Sequence, residues 1–277
     1  MNTFNIEGKI LDLSTAKVMG ILNITTDSFF DGGECLTKNK ILDKCRKMLL
    51  EGASIIDVGA QSSRPGAKPV DFEIEKKRLL TAISYIKQYF PDIIISVDTY
   101  NAEIARTCLL NGANIINDIS GGEMDKEMFE TVADLNAPYI MMHMQGTPEV
   151  MQEDPQYKNV VDDILIFFEK KIKQLKNKGF QKIIIDPGFG FGKKIEHNYQ
   201  LLNNLRRFKK LKLPVLIGVS RKSMIYNLLD TNTDEALNGT SIINTIAIQN
   251  GANILRVHDV KEAIECIKIT TFAKNNC

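Results

Sequence analysis

The sequence predicts an α/β fold, a single-domain (β/α)8 TIM barrel, and three observations predict it. Short apolar runs of strand length recur eight times. Segments with helical periodicity separate them. Nearly all the runs end in polar residues able to bind a ligand. Strands buried on both faces read as near-continuous apolar runs, and a barrel gathers their carboxyl ends on one active face.

The elements follow in order. Residues 1–16 are a lead-in. The first run, Val18 to Ile24, contains Asn23, and helix Lys38 to Leu50 follows with Ile41, Leu42, Cys45, Met48 and Leu49 on one face. Ser54 to Val58 leads into Gln61, Ser62, Ser63 and Arg64, then helix Phe72 to Tyr89. Ile93 to Val97 ends at Asp98, before helix Asn101 to Leu110. Ile115 and Ile116 end at Asn117 and Asp118, before helix Met124 to Leu135. Tyr139 to Met142 ends at His143, and helix Val160 to Leu175 repeats Val161, Ile164, Phe168 and Ile172. Ile183 to Ile185 ends at Asp186, before helix Asn198 to Phe208. Val215 to Val219 ends at Ser220, Arg221 and Lys222, before helix Thr240 to Gln249. Ile254 to Val257 contains Arg256 and ends at His258, and helix Val260 to Ile269 closes the series.

Glycine follows the helical runs at Asn111-Gly112, Lys178-Gly179 and Asn250-Gly251, where a left-handed cap is expected. The phrases Glu51-Gly52-Ala53, Asn111-Gly112-Ala113-Asn114 and Asn250-Gly251-Ala252-Asn253 resemble one another, a weak repeat of one turn. Segments 25–36 and 60–70 are expected to be mobile loops over the active face, and Gln145 to Lys158 is a third long loop. A doubly wound open sheet is the alternative. It predicts a glycine-rich turn after the first strand, and Asn23-Ile24-Thr25-Thr26-Asp27 has none.

Composition excludes some classes. The 277 residues are 44% apolar and 25% charged, with a net charge of +1. Nothing there argues for nucleic acid or a membrane surface. The cysteines Cys35, Cys45, Cys108, Cys266 and Cys277 form no CxxC and read as thiols of a reducing compartment. With no secretory signal or membrane-length apolar run visible, a soluble cytoplasmic protein is expected. His143, His197 and His258 lie far apart, which argues against a zinc site.

The polar strand ends carry the chemistry. Asp98 and Asp186 each read alone as helix caps. With Asn117 they form a set of acceptors and an amide inside an apolar cup, which suits a flat heterocycle with several N–H donors. Arg256 and His258 alternate onto one side of the last strand. A cation inside a barrel needs a partner, and an anion such as phosphate is a natural one. Asn23 is placed to join them at a metal-bound phosphate oxygen. Ser220-Arg221-Lys222-Ser223 sets two cations at a helix start, which the dipole disfavours, so a ligand reason is expected. In Asp186-Pro187-Gly188-Phe189-Gly190-Phe191-Gly192-Lys193, glycines let backbone approach a ligand with Phe191 as a wall. His143 has no assigned role.

These segments, with Met19-Gly20-Ile21-Leu22-Asn23-Ile24-Thr25-Thr26-Asp27-Ser28-Phe29, Ser63-Arg64-Pro65-Gly66 and Met142-His143-Met144-Gln145-Gly146, resemble the dihydropteroate synthase family over essentially the whole chain. The resemblance implies condensation of (7,8-dihydropterin-6-yl)methyl diphosphate with 4-aminobenzoate, giving 7,8-dihydropteroate and pyrophosphate with Mg2+ assisting. It implies that Asp98, Asn117, Asp186 and Lys222 hold the pterin with Met141 packed near it. Arg256, Val257 and His258 border the pterin and diphosphate, with Ser63 on the diphosphate and Asn23 on the metal. Phe29, Pro65, Phe191, Lys222 and Ser223 form the aminobenzoate pocket. Asp31 and Arg64, with Lys222, are the catalytic residues. It further implies a homodimer, a cytoplasmic location and a sulfonamide target. Thr26, Phe30 and Gln61 depart from the family's usual proline, small polar residue and glutamate. Two other readings remain: a pterin-binding methyltransferase barrel that serves a corrinoid, and a non-catalytic homologue that binds pterin or a protein.

Overall fold

The computed structural model describes residues 3–6, 8–24, 33–61 and 70–276. Strands β1 (Thr3–Ile6) and β2 (Lys9–Asp12) pair antiparallel as a hairpin. This is the first difference from the expected lead-in. Phe4, Ile6 and Leu11 are buried, alternating with outward residues at the two-residue period of strands. Such short runs carry too little pattern to stand out beside the longer apolar strands.

Eight parallel strands follow: β3 (Lys17–Asn23), β4 (Ile55–Gly59), β5 (Ile94–Asp98), β6 (Ile115–Asp118), β7 (Tyr139–Met142), β8 (Ile183–Asp186), β9 (Leu216–Ile217) and β10 (Ile254–Val257). Their order is β8-β7-β6-β5-β4-β3-β10-β9. A bridge between Ile185 and Val215 joins the two ends of that order, and Ile185 N donates to Pro214 O at 3.0 Å. The chain is a (β/α)8 barrel, as expected, and not an open sheet.

The helices are α1 (Gly33–Glu51), α2 (Phe72–Tyr89), α3 (Ala102–Leu110), α4 (Met128–Asp134), α5 (Val160–Asn177), α6 (Ile195–Asn203), α7 (Ser223–Tyr226), α8 (Leu237–Gln249) and α9 (Val260–Asn275). Helix α1 begins at Gly33, inside the segment expected to be loop. Helix α4 begins four residues late, because the Asp125 carboxylate bonds Glu127 N and Ala102 N instead of continuing a helix. The run expected from Asn198 to Phe208 divides at Asn204, and Leu205–Leu211 continues as a 3₁₀ helix. Asp71, Asn101 and Asn159 cap α2, α3 and α5 through their side chains. No described helix is long and apolar enough to cross a membrane.

The weak sequence repeat is one piece of geometry used three times. Gly52, Gly112 and Gly251 share φ of +104°, a conformation that glycine adopts without strain. In each case the following alanine N–H reaches back to its helix: Ala53 to Met48 O, Ala113 to Cys108 O and Ala252 to Ala247 O. In two of them the next residue, asparagine, then caps a neighbouring strand. Asn114 Oδ1 accepts Ile95 N at 3.0 Å, and Asn253 Oδ1 accepts Val215 N at 3.0 Å. Asn114→Ala therefore leaves the Ile95 N–H buried without that acceptor and lowers stability by about 1–3 kcal/mol. Urea unfolding checks this, and an unchanged midpoint would mean the cap contributes nothing.

The barrel interior is layered. Its floor is one apolar residue from each strand: Met19, Ile55, Ile94, Ile115, Ile140, Ile184, Leu216 and Ile254. Phe4, Ile6, Leu11 and Leu13 from the N-terminal segment join the same cluster. Because side chains alternate, the residue two positions further along each strand faces the same interior. Those residues are Ile21, Asp57, Ser96, Asn117, Met142, Asp186, Gly218 and Arg256. The floor is apolar and the next layer is largely polar, so any ligand is received above the floor, at the carboxyl ends of the strands.

Candidate active site

Arg256 is the centre of the polar layer. Its Nε donates to Asp57 Oδ2 at 2.6 Å and its Nη2 to Asp98 Oδ2 at 2.7 Å. The partner expected for this cation was a phosphate. Two carboxylates, the fully buried Asp57 and the part-buried Asp98, supply it, since a guanidinium in a barrel cannot stay uncompensated. Asn117 Nδ2 donates to the same Asp57 oxygen at 3.1 Å. Burial pushes the Asp98 carboxyl up to about 7, against the pull of Arg256, and the neighbouring charge of Asp57 adds to the rise.

Asp186 sits at the end of β8, and its Oδ1 accepts Gly188 N at 2.8 Å. Burial raises its carboxyl, and the attraction of Lys222 opposes that rise. Lys222 Nζ donates to Phe189 O at 2.6 Å and lies 4.5 Å from the centroid of the Phe191 ring. Burial lowers its ammonium to about 8. Ser223 opens the short helix α7, half-buried beside Lys222. Phe191 is buried in a small apolar cluster with Ile119, Met142 and Met151.

Met142 takes the place expected for Met141. Met141 is one residue out of phase and joins the layer between barrel and helices, whereas Met142 faces the Phe191 cluster. Val257 is out of phase in the same sense, and its side chain packs in that outer layer. Arg221 is not a ligand group either. It holds Asp259 through Nε and Nη2 at 2.8 and 3.0 Å and donates from Nη1 to Thr233 O and Asp234 O, which ties the loop after β9 to the end of β10. Asn23 is exposed at the end of β3, and His258 follows β10 with its N–H on Ser220 Oγ. Phe29, Asp31, Ser63, Arg64 and Pro65 lie outside the described residues.

The structure supplies the role that His143 lacked. Its Nδ1 is 3.2 Å from Lys193 Nζ, and Lys193 also donates to His143 O and Phe191 O. Burial, with Lys193 beside it, holds the imidazole well below its ordinary value, so His143 is neutral and accepts. A Cβ at Gly188 would fall 2.0 Å from His143 O, so the glycine-rich turn lies directly on the strand end that bears His143. Lys193 and His143 clasp that turn and thereby place Phe189 O and Phe191 for Lys222. Gln61 also finds a use: its amide donates to Glu75 Oε2 at 3.3 Å, where a glutamate would set two carboxylates together. Asp57 and Ser96 are what sequence reasoning missed. Both lie inside apolar runs rather than at their ends.

A cavity of about 280 Å3 opens at the opposite end of the barrel, lined by Asn5, Leu109, Ala137 and Lys182 among others. None of the residues gathered around Arg256 borders it.

Comparison with known proteins places the chain in a family. The family model described as pterin binding enzyme matches residues 19–258. The dihydropteroate synthase of Escherichia coli is 44% identical over 98% of this chain and 97% of its own length. The structure of Yersinia pestis dihydropteroate synthase with a sulfonamide drug complex superposes with a TM-score of 0.92 at 40% identity, covering 99% of both chains. That of Xanthomonas albilineans dihydropteroate synthase with 4-aminobenzoic acid superposes with a TM-score of 0.91 at 35% identity, covering 99% of this chain and 98% of the other. The chain belongs to the pterin-binding enzymes and, among them, to the dihydropteroate synthase family.

Proposed function

We propose that the cup around Arg256 condenses (7,8-dihydropterin-6-yl)methyl diphosphate with 4-aminobenzoate, releasing pyrophosphate and 7,8-dihydropteroate. The observation that carries this reading is the polar layer itself. Asp98, Asn117 and Asp186 present acceptors and an amide to a flat donor-rich ring above an apolar floor. Lys222 stands beside Asp186, and Arg256 covers the ring's face. His258, Asn23 and Ser63 reach toward the diphosphate.

The bond from the exocyclic methylene to the diphosphate oxygen breaks first, and both electrons leave with the diphosphate. Positive charge spreads into the pterin ring, where the buried carboxylates of Asp98 and Asp186 stabilise it without reorganising. The amine of 4-aminobenzoate, neutral at pH 7, attacks the methylene and then loses a proton, so no strong general base is needed. Phe29, Pro65, Phe191, Lys222 and Ser223 hold the arylamine, which is also where sulfonamides bind. Asp31 and Arg64 complete the site and steady the developing charge.

Mg2+ belongs to this reading as an ion delivered with the diphosphate. Among the described residues no group of three or more His, Cys, Asp or Glu is placed to hold a metal. Mg2+ takes hard oxygens and is held by one or two protein donors together with substrate phosphates. The amide oxygen of Asn23 fits that donor set, lying 3.4 Å from where a Gly59 Cβ would stand at the mouth. When bound there, the ion would offset the charge of the departing diphosphate.

The protein acts as a homodimer in the cytoplasm. Leu228, Leu229, Ile242, Ile269 and Phe272 are exposed apolar residues on the C-terminal part of the chain, which supports a second copy there. Buried, unpaired Cys45, Cys108 and Cys266 support a reducing compartment. The test of function is pyrophosphate release with both substrates and Mg2+. Release that depends on 4-aminobenzoate is expected. Release without it, or none, overturns the reading.

A further inference from the structure

Asp57 has no part in the substrate contacts above, yet it is fully buried beneath them. Its Oδ2 takes Arg256 Nε and Asn117 Nδ2 together, so one carboxylate fixes two residues assigned to the pterin. The other end of Arg256 is tied to Asp98, which the pterin must engage. A pterin that takes Asp98 Oδ2 displaces a guanidinium N–H from it. Left unmatched, that part-buried cation would oppose binding. The second oxygen of Asp57 offers the remedy. Oδ1 is buried and has no hydrogen-bond partner among the described residues. Ser96, opposite Asp57 in the sheet register, likewise has a buried hydroxyl without a partner among the described residues.

We propose that Asp57 is the positioning residue of this site: it holds Arg256 by Nε while the pterin takes over Asp98, and its Oδ1 receives the Nη2 N–H that Asp98 gives up. Nε and Nη2 present parallel N–H groups, so the guanidinium pivots about the bond it already makes and ends in a two-pronged pair with one carboxylate. Arg256 then stays beside the pterin without leaving the barrel. Asn117 keeps its amide oriented by the same anchor. This inference rests on the pterin reading above.

The test is Asp57→Asn, which keeps the shape and removes the charge. KM for the pterin diphosphate is expected to rise about 10- to 100-fold, the loss of one charge-assisted bond. KM for 4-aminobenzoate is expected to stay within about 3-fold, because Asp57 acts only through the pterin's neighbours. Arg256→Gln and the double variant Asp57→Asn/Arg256→Gln complete a cycle. The double variant is expected to bind pterin diphosphate as Arg256→Gln does, since Asp57 has nothing left to hold. Losses that multiply, or equal shifts in both KM values, would make Asp57 a general structural residue and overturn the proposal. Should Asp57→Asn fail to fold because Arg256 loses its buried counter-charge, the double variant removes both members of that pair, and its comparison with Arg256→Gln decides alone. A wild-type protein without turnover refutes the pterin reading instead, whereas wild-type turnover with an unaltered Asp57→Asn refutes this proposal only.

Discussion

Lys222→Met is expected to give a barrel at least as stable as the wild type with kcat/KM reduced about 100- to 1,000-fold. The two halves of this result have one cause. The ammonium is buried, which lowers it from 10.5 to about 8. The fold therefore disfavours the charged form that exists at neutral pH. That cost is fully present below pH 8 and fades as pH rises from about 8 to 10.5, where the unfolded chain also loses its proton. A shift of this size corresponds to a cost on the order of 3 kcal/mol at pH 7. The attraction to Asp186 is already contained in that shift, and losing the bond to Phe189 O offsets part of the gain. Methionine keeps the apolar stem. Steady-state kinetics and thermal unfolding read the two halves separately. A lower Tm with wild-type turnover would mean that Lys222 serves the fold and not the chemistry.

The pH profile gives the second large effect. In the proposed site Asp98 must be ionised to accept the pterin's N–H groups, and burial raises its carboxyl to about 7. Lys222 must be charged, and it discharges near 8. kcat/KM for the pterin diphosphate is therefore expected to rise with pH through about 7 and fall above about 8, the two limbs belonging to the free enzyme. Asp98→Asn is expected to lose on the order of 100-fold in kcat/KM and to lose the acid limb with it, because the amide does not titrate. The alkaline limb remains. An acid limb that survives in Asp98→Asn would assign it to another group. Lys193, lowered by burial to about 7, is the nearest alternative.

Most of the barrel was legible because buried parallel strands and amphipathic helices write different periods into the chain. Every barrel strand lay where an apolar run stood. The site was legible where polar residues end those runs, as at Asp98, Asn117 and Asp186. It was obscured where phase matters. Met141 and Met142 are both apolar, and only the register of β7 decides which faces the mouth. Asp57 lies inside Ile55-Ile56-Asp57-Val58, in a strand scanned for its end. Counting two residues from each floor position would have found it, since Ile55 to Asp57 is the same step as Ile184 to Asp186 and Ile254 to Arg256. Arg221 and Lys222 could not be separated by sequence. Arg221 sits at φ +55° and turns to Asp259, whereas Lys222 turns inward. The N-terminal hairpin stayed hidden because four-residue strands carry almost no period.

The measurement that tests the site most directly is a crystal structure of the protein with the pterin diphosphate and Mg2+. The expected result places the pterin ring above the floor formed by Ile94, Ile115 and Ile184, bonded to Asp98, Asn117 and Asp186, with the Asp98–Arg256 contact broken. A pterin bound at the opposite end of the barrel, in the cavity beside Leu109 and Lys182, or a ring in the cup that leaves Asp98 and Asp186 uncontacted, would contradict it.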